Sequence, residues 1–229
     1  MMPDANCLQW RLLLPHDLPA MHDLHLLGMA GMAAQAVKPE SRDFLLGLLQ
    51  GRGTVIGAWH EDALVAYGVL QHDLLAEDDP RMLLGLDAAQ PVRKLAGATV
   101  APGWRGLGLQ RMLIERRLAC APRDAALFAT AAPCNPPSWR NLLACGFAVR
   151  ALVYRYGGHA RYLLARVPQE AGAAGAGLEL GGNELPRQQA LLAQGWRGTA
   201  PGAAAGSLRL VPPTGTGGPV GVPAGRAAP

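Results

Sequence analysis

The chain has 229 residues, half of them hydrophobic, 5% aromatic and 17% charged, with a formal net charge of +4. That is enough for one large domain or two small ones around a sizeable core, and the shortage of aromatics leaves Leu, Val, Ala and Ile to build it. The cationic side chains are scattered rather than drawn into a stripe, which argues against a nucleic-acid binder.

The first predicted element is a strand over residues 8–14, stopped by Pro15. A helix follows over 17–31, with Asp17 as a possible cap, and a second short helix begins at Ser41 and closes at Gly51. The apolar stretch over 24–37 is interrupted by His25 and Gln35 and is too short to span a bilayer. Residues 54–59 and 64–70 read as a hairpin turning at Glu61-Asp62. A polar excursion occupies 77–90, and 92–100 is the next strand, ending at Ala101-Pro102-Gly103.

From 107 to 119 the pattern is helical, with Leu109, Met112, Leu113 and Leu118 on one face and Arg and Glu opposite. Arginines gather between Arg105 and Arg123, a cluster that suits a polyanionic small ligand. A short buried strand is expected over 126–130. Pro136 or Pro137 suits the first turn of a helix that runs to Cys145 and is ended by Gly146. Residues 147–156 and 161–167 pair as two further strands.

The order predicts an α/β arrangement of mixed strand directions, with helix crossovers at the centre and a hairpin on either side. Beyond 167 the character changes. A short helix is expected over 184–194, whereas the Ala, Gly and Pro of 199–229 predict a disordered tail. The expected organisation is therefore a domain over 1–167, an extension over 168–198 and a tail over 199–229.

Cys7, Cys120, Cys134 and Cys145 include no C-x-x-C pair, so no zinc or other metal site is expected and the thiols read as reduced. Nothing beside Cys134 looks like a base for it. The N-terminus shows no basic region followed by an apolar core, so a cytoplasmic location is expected, with no membrane partner.

The most informative segment is Ala98-Thr99-Val100-Ala101-Pro102-Gly103-Trp104-Arg105-Gly106-Leu107-Gly108-Leu109-Gln110-Arg111. A strand ends, an arginine and two glycines follow, and a helix starts at once. Free N–H groups of a first helical turn, with the helix dipole behind them, make an anion site. Glycines let backbone approach phosphate without intervening side chains. A Walker loop needs G-K-[ST], which is absent, and the Rossmann pattern needs a glycine where Arg111 stands.

This stretch resembles the coenzyme signature of the GNAT acyltransferase family, [QR]-x-x-G-x-[GA]. Arg105 to Leu109 fits its first five positions, and Gln110 replaces the usual Gly or Ala. Val100-Ala101-Pro102-Gly103-Trp104 is similar to the family's lead-in, and Asn135-Pro136-Pro137-Ser138 with Gly146-Phe147 is similar to its N-x-x-S…G-F stretch.

The resemblance implies a GNAT-type α/β (α+β) fold: a mixed, mostly antiparallel sheet of about seven strands, about four helices, and a flexible C-terminal extension. It also implies acetyl-CoA as co-substrate, transferred to a primary amine of a small molecule, amino-acid derivative or peptide. The amides of Gly106 to Arg111 would take the pyrophosphate. Thr99, Val100 and Ala101 would bond the pantetheine arm, Asn135 and Ser138 would lie near its thiol end, and Arg111 and Asn141 could reach phosphates. Arg105, Gly106, Leu107, Gly108, Leu109 and Gln110 complete the candidate cofactor site.

The family's acid–base residues do not transfer. Leu142 stands where many members have a general-acid Tyr, and Arg93, Lys94, Leu95 and Ala96 stand where many have a Glu base. Tyr154 and Tyr156, expected on one face of a strand, and Ser138 are the remaining catalytic candidates; His72 and Asp73 end a strand near the expected acceptor cleft. A non-catalytic coenzyme A-binding sensor or interaction module on the same fold is the alternative function. The state is expected to be monomer or homodimer.

Overall fold

The computed structural model describes residues 7–33, 35–168, 170 and 175–213. One sheet of ten strands runs through them in the order β1-β2-β3-β4-β5-β7-β6-β9-β10-β8. Its first seven strands are β1 (Gln9–Leu12), β2 (Gly53–His60), β3 (Ala63–Gln71), β4 (Val92–Val100), β5 (Ala126–Ala131), β6 (Ala148–Arg155) and β7 (His159–Arg166). The last three are β8 (Leu178–Leu180), β9 (Arg197–Pro201) and β10 (Leu208–Val211). Among the described residues only β4 and β5 pair parallel: the chain crosses between them through a helix and returns as the immediate neighbour, whereas the later helix crossovers, from β5 to β6 and from β8 to β9, leave a strand in between.

The helices are α1 (Leu18–Met29), α2 (Arg42–Gly47), α3 (Arg81–Leu84), α4 (Leu109–Cys120), α5 (Pro136–Ala144) and α6 (Leu185–Ala193). Ser41 caps α2, its Oγ accepting from the Phe44 N–H at 3.1 Å. The period-2 alternation of β3 distributes the helices over the two faces. Tyr67 and Val69 pack with Met21 and Leu24 of α1 and Leu45 of α2, whereas Ala66 packs with Leu109 and Leu113 of α4. A methyl on Gly68 would meet Arg117 of α4 at 2.9 Å. Arg117 thus lies on the inward face of α4 and is 2% exposed. The sequence pattern had placed the arginines of this helix opposite the apolar stripe.

The sheet is longer than expected, ten strands rather than about seven, because the chain beyond 168 joins it. The expected disorder from Thr199 onward is overturned for 199–213, which contain the end of β9 and all of β10; residues 214–229 lie outside the described residues. Composition is dominated here by Ala, Gly and Pro, but a few leucines at the right period anchor the segment. Leu180, Leu192, Leu208 and Leu210 are buried in one cluster with Trp139, Phe147 and Tyr162.

The reason this segment folds is visible in its likeness to the stretch before it. Helices α5 and α6 are each nine residues long. At one constant offset Pro137 matches Pro186, Leu142-Leu143-Ala144 matches Leu191-Leu192-Ala193, and Gly146-Phe147 matches Gly195-Trp196. Both helices end identically. The Phe147 and Trp196 N–H groups each donate to the leucine carbonyl five residues back at 3.1 Å, across glycines at φ +83° and +86°. The strands repeat as well, since β5-β7-β6 is mirrored by β9-β10-β8. Residues 178–211 are a second, shortened copy of the β5–β7 unit, docked with β9 antiparallel to β6. Tyr162 joins the copies: its hydroxyl donates to Gln188 of α6 at 2.7 Å and its ring meets Trp139 of α5 edge-on.

The cysteines are free thiols. No helix among the described residues is long and apolar enough to cross a membrane.

Candidate active site

The site begins where two strands part. β4 pairs with β5 only through Val92–Lys94 against Ala126–Phe128; beyond Lys94 the strands separate, and the edges they would have paired face each other across a gap. On its other side β4 carries a bulge, for Gly68 faces Ala98 but Leu70 faces Leu95, so Ala96 and Gly97 oppose Val69 alone. Arg117 locks the bulge. Its Nη1 donates to Val69 O at 3.2 Å and to Ala96 O at 3.3 Å, and its Nε to Leu113 O at 2.9 Å. No carboxylate among the described residues answers it, and burial brings the guanidinium pKa down to about 10.

A cleft of about 710 Å³ fills the gap, lined by Lys94–Val100 of β4 and by residues 129–132 at the end of β5. At its upper end the chain leaves β4 and enters α4 through Arg105–Gly108. Gly106 and Gly108 have φ +85° and +78°, and a Cβ on either would meet nothing within 4 Å. Arg105 holds the loop down, donating from Nη2 to Gly28 O of α1 at 3.1 Å. The first-turn amides of α4 at Leu109 and Gln110 have no carbonyl ahead of them in the helix. Asn141 Nδ2 donates to Gln110 Oε1 at 2.9 Å, so the side chain that departs from the coenzyme signature is turned toward α5.

The other end of the cleft is polar. His25 of α1 accepts the Glu40 N–H on Nε2 at 3.0 Å, which places its proton on Nδ1, 3.0 Å from the Tyr67 hydroxyl. Burial lowers the His25 pKa, with His22 adding to it, and pushes Tyr67 up to about 12 against a hydrogen bond to Thr99. A chain of hydrogen-bonding groups therefore runs from the α1–α2 loop to β4. Burial raises the Glu40 carboxyl, opposed by Lys38 at 3.1 Å. Asp78 is held at both oxygens, by Lys94 and by Arg155, each at 2.7 Å.

Comparison with protein-family models gives no match, and no curated protein matches the chain. Solved structures do. Arabidopsis thaliana NAA60 in complex with a bisubstrate analogue aligns with a TM-score of 0.56 at 15% identity, covering 72% of this chain and 99% of that one. Salmonella typhimurium yncA, solved with its cofactor acetyl-CoA, gives 0.55 at 18%, with 75% and 99% covered. An acetyltransferase of the GNAT family from Streptococcus pneumoniae gives 0.54 at 13%, with 70% and 99% covered. The chain has the GNAT acetyltransferase fold.

On this GNAT fold the predicted residues divide. Thr99, Val100, Arg105, Gly106, Gly108, Leu109, Gln110, Asn135, Ser138, Asn141 and Tyr156 line the one cleft, whereas Ala101, Leu107 and Arg111 do not. The Arg111 side chain is exposed, and its N–H donates to Gly108 O at 2.9 Å. Tyr154 and Tyr156 do not share a strand face. β6 ends at Arg155, and Tyr156 sits in the turn beyond it at φ +54°, facing the cleft, while Tyr154 is 55% exposed away from it. His72 and Asp73 are tied instead to Thr54 and Arg52. Sequence reading missed His25, Lys38, Glu40, Gln71, Asp78, Arg117 and Arg161, all of which line the cleft. The interruption of an apolar run by His25 was the one signal available.

Proposed function

We propose that the protein is an acetyl-CoA-dependent N-acyltransferase that moves an acetyl group to a primary amine by direct attack in a ternary complex. The observation that carries this is the parting of β4 from β5 directly below the glycine-rich entrance to α4. It offers a slot edged by unpaired backbone for an extended amide-bearing arm, continuous with amides that suit a diphosphate. The residues present fit acetyl-CoA: two left-handed glycines leave open space where a Cβ would stand, and Asn135 makes no side-chain cap bond to α5 that would turn it from the cleft.

Bound there, acetyl-CoA supplies an activated thioester carbonyl. The chain's own residues do the rest. Leu109 and Gln110 N–H groups receive the diphosphate at the positive end of α4. Thr99 and Val100 present backbone donors and acceptors to the arm, and Arg117 keeps the bulge at Ala96–Gly97 open below it. An alkylammonium must lose a proton before it attacks, which costs about 4–5 kcal/mol at neutral pH for a pKa near 10.4. Glu40 is the group suited to receive it. Its pKa is raised toward the working range, whereas Asp78 has both oxygens taken by cations. Ser138 and Tyr156, which both line the cleft, are the candidate donors to the departing thiolate.

The test is thiol release from acetyl-CoA against a panel of amines, with calorimetric titration of coenzyme A alongside. Release with any member, lost together with coenzyme uptake on Gly108→Trp, is the expected result. Absence of coenzyme uptake by folded protein at millimolar ligand refutes it.

A further inference from the structure

Arg161 of β7 is 3% exposed and lines the acceptor end of the cleft. Its Nη1 donates to the backbone carbonyls of Gln35 and Ala160, at 2.6 and 3.0 Å. Its Nη2 is buried and has no partner among the described residues. No carboxylate among the described residues pairs with it: the carboxylate of Glu40 belongs to Lys38, and that of Asp78 to Lys94 and Arg155. A guanidinium held out of water without an anion costs several kcal/mol, a cost a structure sustains where an anionic ligand arrives to offset it.

The surroundings point the same way. Tyr156 adopts a left-handed backbone, φ +54°, that a non-glycine residue seldom takes. The strain sets its ring beside two cations, 5.5 Å from the Arg161 guanidinium and 5.0 Å from Lys38 Nζ. Among the cleft-lining side chains Lys38, Lys94, Arg105, Arg117 and Arg161 face only Glu40 and Asp78, so the cleft has an excess of positive charge. That balance favours an acceptor that carries a negative charge beside its amine over a plain alkylammonium. A second orphan in the same cleft has the opposite polarity: Gln71, 2% exposed, donates from Nε2 to Asp73 O at 2.7 Å, but its buried Oε1 has no partner among the described residues and can only accept.

Resting on the acyltransferase reading above, we infer that the acceptor is an amino acid or a close analogue, with its carboxylate held by Arg161 and its nitrogen presented toward the acceptor oxygens of Gln71 and Glu40. Arg161 is the specificity-determining residue. Its planar fork suits a carboxylate in two-point contact, and the Gln35 carbonyl occupies one arm until the ligand's oxygens replace it. The reaction is then N-acetylation with the carboxylate as a spectator. The ammonium first gives one proton to Glu40; the freed amine nitrogen bonds to the acetyl carbon, the carbon–sulfur bond breaks, and the second nitrogen proton goes to the departing thiolate, which leaves as the coenzyme A thiol.

The experiment uses the full chain saturated with coenzyme A. Calorimetry compares each proteinogenic amino acid with its own carboxamide, which keeps the amine and loses the negative charge. At least one acid is expected to bind ten-fold or more tightly than its amide, with the ratio falling to near one in Arg161→Gln and at least three-fold in Arg161→Lys. Coenzyme affinity stays within two-fold in the same variants, which reports that they are folded. If Arg161→Gln does not fold, Arg161→Lys decides. Amides that bind as well as acids, no binding by any pair, or a ratio unchanged by the folded variants overturns the inference. Failure of the acyltransferase reading looks different: acids bind preferentially, yet acetyl-CoA releases no thiol in their presence.

Discussion

Replacing Gly108 by alanine separates backbone strain from ligand contact. Gly108 precedes α4 in a left-handed conformation, φ +78°, and the Cβ of an alanine would meet nothing within 4 Å. The folded protein therefore loses only the conformational term, about 1–2 kcal/mol for a side chain forced into that region. For a chain of this size that is a fall in melting temperature of roughly 2–8 °C. The open space is also where the proposed diphosphate approaches, so the methyl should raise the Kd for coenzyme A at least ten-fold, about 1.4 kcal/mol. Gly85, which ends α3 at φ +64° with the same open surroundings, is the control. It does not line the cleft, so Gly85→Ala should melt lower by a similar amount and bind coenzyme A unchanged. Differential scanning calorimetry and isothermal titration on the two variants decide the matter. Wild-type affinity in Gly108→Ala, or an equal loss in Gly85→Ala, refutes the placement of the diphosphate over α4.

Three further outcomes follow from the geometry. Glu40→Gln should lower kcat about 100-fold with coenzyme affinity unchanged; the wild-type rate should fall as pH drops through the raised pKa of Glu40, and a variant retaining full kcat removes it as the base. His25 has a folded-state pKa below its unfolded value of about 6.5, so the stability linked to its neutral form is present above pH 6.5. It is lost as pH falls from there through the folded-state pKa; melting profiles between pH 7.5 and 5 should be flatter for His25→Gln, and parallel profiles would exclude the linkage. Arg117→Met removes the side-chain hydrogen bonds to the carbonyls of Leu113, Val69 and Ala96, at about 1 kcal/mol each, partly offset by removing a buried charge. Urea titration should show a net loss of about 2 kcal/mol, and an unchanged midpoint would mean the bulge does not need the guanidinium.

What the sequence disclosed was what lies on contiguous residues. Arg105 to Leu109 carries its whole geometry in five consecutive positions, so the phosphate loop and the helix after it could be read directly. The acceptor end could not. Glu40, Gln71, Asp78 and Arg161 come from separate elements, and each alone is an ordinary polar residue until the chain closes. Arg117 defeated helical periodicity because its partners are carbonyls freed by a bulge in another strand, over a glycine that leaves room for the side chain. Tyr156 was assigned to a strand face because alternation continues through it in sequence, although its backbone has already turned. Composition averages over the order in residues 199–213: alanine, glycine and proline hide the Leu208-Arg209-Leu210 alternation, and the repeat of Pro137 through Phe147 in Pro186 through Trp196 carries the missing information.

That repeat has a consequence for how the sheet is finished. The edge of β6 meets β9 of the same polypeptide, so its cover is tethered and its local concentration is fixed by the short link from β7 rather than by how much protein is in the tube. Dilution cannot strip it away. The outermost strand it brings, β8, is only three residues long, which leaves little unpaired backbone for another chain to add to.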